Sequence, residues 1–255
     1  VDHDFALTVV WLDDVPRDAA DQMALDEALL NLGEEGVHCL RLYRWTTDTV
    51  SFGANESAGT TWDRAALAAS NIPCVRRPTG GRAVWHSAED LTYAWTGPVA
   101  SLGGVRPAYA TLHRRLAAAL APLDLEATLA ARPARLPGLA PGGCFDVPVG
   151  GELLIAGRKA IGSAQMVRRG ALLQHGAIAR RDRTARLDRF RRVPQAATVP
   201  SPQSLPESDR VAAAIASWWL GQGALAAGPE LTRAASEASL PLALRYHDLG
   251  WTWRR

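Results

Sequence analysis

The chain has 255 residues, 47% hydrophobic and 21% charged, enough apolar material for one large domain with a buried core. A formal net charge of +2 excludes nucleic-acid binding by bulk electrostatics, which needs a strongly basic face, and no run of about 18 apolar residues marks a membrane span. The opening residues Val1-Asp2-His3-Asp4 carry no basic leader or apolar stretch, and Cys39, Cys74 and Cys144 lack the paired spacing of a zinc site or disulfide framework. The expectation is a cytoplasmic protein in a reducing compartment, with no metal.

In chain order, Phe5 to Leu12 is rich in β-formers and predicts a strand. Asp18 to Glu35 predicts a helix, with Asp18 as N-cap, an apolar series at Ala20, Met23, Ala24, Ala28 and Leu30, and Gly36 as its stop. Strands are predicted at Cys39 to Trp45 and Val50 to Gly53, a helix at Trp62 to Ser70, and a strand at Pro73 to Arg77. Pro78-Thr79-Gly80-Gly81 is a turn by composition, followed by strands at Ala83 to Trp85 and Leu91 to Thr96 and a helix from Pro107 to Ala121. Ala131 to Gly151, with four prolines, reads as a loop long enough to be functional or disordered. Glu152 to Ile155, Ala160 to Met166 and Ala171 to Ile178 predict a meander turning at Gly157 and Gly170, and helices at Glu207 to Leu220 and Glu230 to Ala238 close the regular part. Strands outnumber helices without strict alternation, which predicts an α+β fold: a mixed, largely antiparallel sheet flanked by helices. The whole chain, 1–255, is expected to form a single catalytic domain, with 200–255 as its C-terminal helical segment.

Three clusters could carry chemistry. Arg76-Arg77-Pro78-Thr79-Gly80-Gly81-Arg82-Ala83-Val84-Trp85-His86 joins paired glycines, which admit close approach of backbone N–H groups, to three arginines suited to a phosphate or carboxylate; a tight hairpin with solvated arginines is the structural alternative. Of 28 basic residues, Lys159 is the only lysine. It sits in Gly157-Arg158-Lys159-Ala160-Ile161-Gly162-Ser163-Ala164-Gln165, where small side chains beside one amine leave room for an extended apolar substrate. The third cluster, Gly142-Gly143-Cys144-Phe145-Asp146, places a thiol beside flexible glycines, and a nearby ammonium would make its thiolate available near neutral pH. Cys39 and Cys74 lie in apolar strand contexts and read as core. His86 and His175 are polar contacts to a substrate or histidines satisfied in turns, with no carboxylate partner evident from spacing. The arginine-rich run from Arg180 to Arg192 is a docking surface for an acidic protein or a solvated face.

Together these clusters resemble the biotin/lipoate protein ligase superfamily of cofactor transferases. The likeness is carried by Arg76-Arg77-Pro78-Thr79-Gly80-Gly81, Gly157-Arg158-Lys159 with Gly162-Ser163-Ala164, and Leu173-Gln174-His175-Gly176, in the family's order. Asp26-Glu27-Ala28-Leu29 and Ser51-Phe52-Gly53 add to it. Gly80-Gly81-Arg82-Ala83 and Cys144-Phe145-Asp146 look most like the cysteine-dependent octanoyltransferase branch. Arg82 replaces the third glycine common in ATP-using lipoate ligases, and Ser87 follows His86 where the family often has aspartate.

The resemblance implies a biotin/lipoate ligase-like fold and transfer of octanoyl from acyl carrier protein to a lysine of a lipoyl-domain protein, such as the glycine cleavage H protein. It makes Cys144 the thioester-forming nucleophile and Lys159 its catalytic partner. Arg77, Thr79, Gly80, Gly81, Arg82, His86, Gly162, Ser163, Ala164 and His175 are expected to bind substrate. Thioester exchange needs no nucleotide, so no cofactor is expected. An ATP-dependent lipoate ligase and an octanoyl amidotransferase acting between lipoyl domains remain open as alternatives, as does a catalytically silent carrier-binding module.

Overall fold

The computed structural model describes residues 3–125, 127–130, 151–155, 157–194 and 205–254. The predicted first strand starts later than its composition suggests: α1 (His3–Leu7) precedes β1 (Thr8–Arg17), and Phe5 sits on the helical turn with its ring against Trp218 and Trp219. α2 (Ala19–Glu34) is the predicted helix; Asp18 caps it by accepting the Asp21 N–H at 2.9 Å, and Gly36 turns the chain beyond it at φ +97°. β2 (His38–Trp45) and β3 (Thr49–Phe52) follow. A short α3 (Ala58–Thr61) precedes the helix predicted at Trp62 to Ser70, which is α4 (Arg64–Ala69) and starts where the Asp63 carboxylate accepts the Ala66 N–H at 3.0 Å.

β4 (Cys74–Arg76) and β5 (Val84–His86) bracket the glycine loop, and β6 (Leu91–Pro98) leads to α5 (Val105–Leu120) and β7 (Ala127–Leu129). The predicted meander divides between two sheets. β8 (Leu153–Ile155) and β9 (Arg158–Lys159) pair with each other and with β7, whereas β10 (Ile161–Arg168) and β11 (Ala171–Ile178) join the main sheet. Lys159 therefore ends one sheet just before the main-sheet strand begins. α6 (Thr184–Asp188), α7 (Ser208–Gly221), β12 (Leu225–Ala226), α8 (Pro229–His247) and α9 (Leu249–Thr252) complete the described chain. α8 runs past Ala238, where the sequence predicts its end, and through Pro241, because its last turns pack on α2: Tyr246 donates to Glu27 at 2.6 Å.

The main sheet has the order β10-β11-β6-β2-β1-β12, antiparallel from β10 to β2 and parallel at β2-β1 and β1-β12. Alternation along each strand gives the sheet two chemically different faces. Leu40, Leu42, Tyr93, Trp95, Leu172 and Ile178 turn toward α5 and α7, while Tyr43, Trp45, Ala94 and Leu173 turn toward α2 and α8. The fold is thus a mixed, mostly antiparallel sheet with helices on both faces, as expected. A second sheet, β4-β3-β5, with the α3–α4 segment against it, lies beside the α2 face. No described helix is long and apolar enough to cross a membrane.

Candidate active site

On the α2 face, strand register lines up two rows of side chains across the sheet. One is Ala164, His175, Ala94 and Arg41; the other is Gly162, Ala177, Thr92 and Tyr43. From β10 to β6 these rows hold little more than hydrogen, methyl and hydroxyl groups, apart from His175, so the pleat is open as a trench. At β2 the aromatic rings of Tyr43 and Trp45 close it, and Trp45 Nε1 donates to Thr92 Oγ1 at 2.9 Å. Ser51, Arg77, Val84 and His86 from the second sheet and the loop after it roof it, leaving a narrow pocket that is partly open to solvent.

The glycine loop is held over this trench by its own arginines. Arg77 donates from Nη1 to the Ser51 carbonyl at 2.9 Å, and from Nη2 to the carbonyls of Gly80 and Arg82, each at 2.7 Å. Arg76, fully buried, donates to the carbonyls of Gly53 and Glu56 at 2.7 Å and of Arg254 at 2.6 Å. Both guanidinium groups thus organise backbone, where the sequence suggested binding of an external anion. Close approach also demands glycine: a Cβ on Gly53 would lie 1.9 Å from the Gly81 carbonyl oxygen, and Gly81 itself sits at φ +90°.

Thr79 ties the loop to the sheet, its hydroxyl 2.6 Å from His175 Nε2. His175 Nδ1 in turn donates to Asp26 Oδ2 at 2.8 Å, and Asp26 also accepts from Tyr43 and Arg41. Sequence spacing suggested no carboxylate for His175; the partner lies 149 residues away on α2. His86 stacks on Trp45 with centroids 4.3 Å apart. Ser51 Oγ accepts from Arg77 at 3.1 Å and lies 2.8 Å from His86 Nε2. His86 Nδ1 is left without a partner, and burial, with the Arg77 and His175 charges, holds its pKa well below the usual value. His86 is a neutral imidazole.

Ser163 belongs to the opposite face. Its Oγ lies 2.7 Å from the Tyr93 hydroxyl and 2.8 Å from His113 Nε2, so only its backbone borders the trench. Tyr93 reaches Ser163 across Gly176, where a Cβ would come within 2.4 Å of Ser163 Oγ. His113 Nδ1 faces the Gly151 carbonyl at 2.6 Å. Burial, reinforced by the Lys159 charge against that hydrogen bond, lowers its pKa to about 4. Beside it the Lys159 amine donates to Glu152 Oε1 at 2.7 Å, with both side chains buried. Tyr109, stacked edge-on against His113, presents its hydroxyl 3.5 Å from the same oxygen.

Of the predicted substrate contacts, Arg77, His86, Gly162, Ser163, Ala164 and His175 border the cavity. Gly81 comes near Ala164, and Thr79 joins through His175. Gly80 and Arg82 contribute the carbonyls that hold Arg77. Lys159 lies off the cavity wall, on the α5 side of the β10 edge. Cys144 lies outside the described residues. Cys39 and Cys74 behave as core thiols, their pKa values pushed up to about 12 by burial. The arginine-rich run is largely paired within the chain, through Arg180–Glu207, Arg183–Glu89 and Arg186–Asp48. Sequence reasoning missed Glu152, His113, Tyr109 and Trp45, whose relevance rests on contacts between distant segments.

The chain is 37% identical over 167 residues to octanoyltransferase LipM of Carboxydothermus hydrogenoformans, covering 63% of this chain and 60% of the relative. It is 37% identical over 166 residues to LipM of Moorella thermoacetica, covering 62% and 60%. The chain thus spans about 60% of the length of these curated relatives. Among solved structures, protein Ta0514 of T. acidophilum, described as a lipoate protein ligase, superposes with a TM-score of 0.74 over 96% of this chain and 98% of its own, at 21% identity. The lipoyl protein ligase A/B catalytic domain matches residues 18–213, and the chain belongs to that family.

Proposed function

We propose that this protein is an octanoyltransferase of protein lipoylation, moving an octanoyl group from acyl carrier protein to a lysine of a lipoyl-domain protein through a thioester on Cys144. The observation that carries the reading is the trench. It crosses three strand spacings from β10 to β2, about 14 Å, with small side chains along its floor and an aromatic wall at its end. That is the shape of a site for a medium-length unbranched chain. The LipM relatives, named octanoyltransferases, support the same chemistry.

In the first half-reaction the Cys144 thiolate attacks the donor thioester carbonyl, the carbonyl oxygen becomes an oxyanion, and the carrier's phosphopantetheine thiolate leaves and takes up a proton. The acyl tail lies in the trench, with the reacting carbonyl at the β10 edge where Lys159 stands. The Lys159 ammonium favours the thiolate and donates to the oxyanion; loss of such a donor costs about 100-fold or more in rate. In the second half-reaction the neutral amine of the acceptor lysine attacks the acyl-enzyme, an amide forms, and the Cys144 sulfur leaves. Thioester exchanges for thioester and then yields a more stable amide, so no nucleotide is consumed. The engagement of Arg76 and Arg77 with carbonyl oxygens supports this over a ligase, which needs free cationic groups for a triphosphate.

The test is incubation with octanoyl-acyl carrier protein followed by intact mass measurement. One octanoyl group is expected on the intact chain and none on Cys144→Ala. An unmodified chain overturns the reading. Pyrophosphate release from ATP and free octanoate or lipoate that survives Cys144→Ala would identify a ligase. Acylation from an octanoylated lipoyl domain but not from acyl carrier protein would identify an amidotransferase.

A further inference from the structure

Lys159 is the only lysine in the chain, and it is buried on a carboxylate. A buried ammonium with no counter-charge sheds its proton, because a low-dielectric surrounding penalises the charged form. Among the described residues, the surroundings of this amine have one strongly acidic member. From α5 come His113, a neutral imidazole whose proton is committed to the Gly151 carbonyl, and the Tyr109 hydroxyl, which also reaches the Ser163 carbonyl at 3.4 Å. From β9 comes the exposed Arg158, on the opposite side of the two-residue strand from its neighbour. Glu152, one residue ahead of β8, supplies the negative charge, 2.7 Å from the amine. Because Leu154 pairs with Lys159 in the ladder, carboxylate and amine are carried by neighbouring strands of one small sheet, and their distance is set by backbone pairing.

We propose that Glu152 is a positioning residue of the active site, holding the Lys159 side chain as an ammonium and fixing its place beside the β10 edge. The role rests on the acyl-transfer reading above, since a charged amine there serves a thiolate and an oxyanion. A neutral amine would serve neither, and would be a competing nucleophile for the acyl group. Glu152 acts through Lys159.

The sole lysine allows a direct test. Protein grown with 13Cε,15Nζ-lysine gives one side-chain signal, whose position reports ammonium or amine as pH is raised. In Glu152→Gln the midpoint of that titration is expected at least tenfold lower in proton affinity than in the intact chain, and in Glu152→Asp close to the intact value. In parallel, thioester formation from octanoyl-acyl carrier protein should lose rate in Glu152→Gln with its alkaline limb moved to lower pH, and recover in Glu152→Asp. Coincident titrations of the intact chain and Glu152→Gln overturn the proposal. So does an amine signal from the intact chain at pH 7.5, which needs no variant to fold. A lowered midpoint in a chain that transfers no octanoyl sinks the transferase reading, and with it the catalytic purpose of the pair, while leaving the Glu152–Lys159 charge coupling; transfer with an unmoved midpoint keeps the transferase and overturns the role of Glu152.

Discussion

Gly176 shows how one missing side chain joins three strands. It pairs with Ser163 on one side and Tyr93 on the other, and the space its Cβ would fill is crossed by the Tyr93–Ser163 hydrogen bond. Gly176→Ala must displace Tyr93, and Cε1 of that ring would be 2.7 Å from the new methyl; a loss of about 2 kcal/mol is expected, read from urea unfolding. His113, beneath that bond, gives the stability an acid limit. Its folded pKa of about 4 is depressed from the ordinary 6.5, so its contribution is present above pH 6.5 and is lost as pH falls through 4, worth at most about 3 kcal/mol. Asp90 has the opposite sign: burial raises it to about 6 from 3.8, so its contribution is full below pH 4 and lost as pH rises through 6. The two windows overlap with opposite signs between about pH 4 and 6 and largely cancel, so urea midpoints of the intact chain should change little from pH 4 to 8, whereas His113→Gln should uncover the Asp90 loss as a midpoint that falls as pH rises from 4 to 6. At this scale the sequence showed glycines, histidines and one lysine as notable. It could not show that Asp26 receives His175, because a contact across 149 residues leaves no local pattern.

Elements were legible where a cap or period announced them. α2 follows its predicted bounds because Asp18 and Gly36 punctuate it at both ends. α4 likewise falls within two residues of the helix predicted at Trp62 to Ser70, its start fixed by the Asp63 side chain's bond to Ala66 N. Asp63→Ala should cost about 1 kcal/mol, measured by thermal unfolding. The division of the predicted meander between two sheets was hidden. The residues of β9 and β10 are continuous in sequence and share β-forming character, and the change of sheet at Ala160 depends on which strands lie alongside. It places the lysine on one side of an edge and the trench on the other.

Across the whole molecule, Arg76 fastens the C-terminal segment to the site. Its guanidinium reaches the carbonyls of Trp251, Thr252 and Arg254 as well as those of Gly53 and Glu56, binding the end of α9 to the turn after β3. Arg76→Met would leave several buried carbonyls unpaired and should cost at least about 3 kcal/mol, with limited proteolysis then cutting first in α8 or α9. The fold class was readable because strand-rich, non-alternating patterning restricts the layering, whereas this clamp joins residues at opposite ends of the chain and could not be anticipated.

The arginine-for-lysine bias bears on the proposed handling of activated carboxyl groups. Arginine remains protonated and is not a nucleophile at ordinary pH, and the one lysine is enclosed with Glu152 at 3% exposure. The surface therefore offers no ε-amino group to a passing acyl donor. On the proposed transferase reading, a chain so built is protected against labelling itself, and the lysines that reach the thioester are those brought by the acceptor.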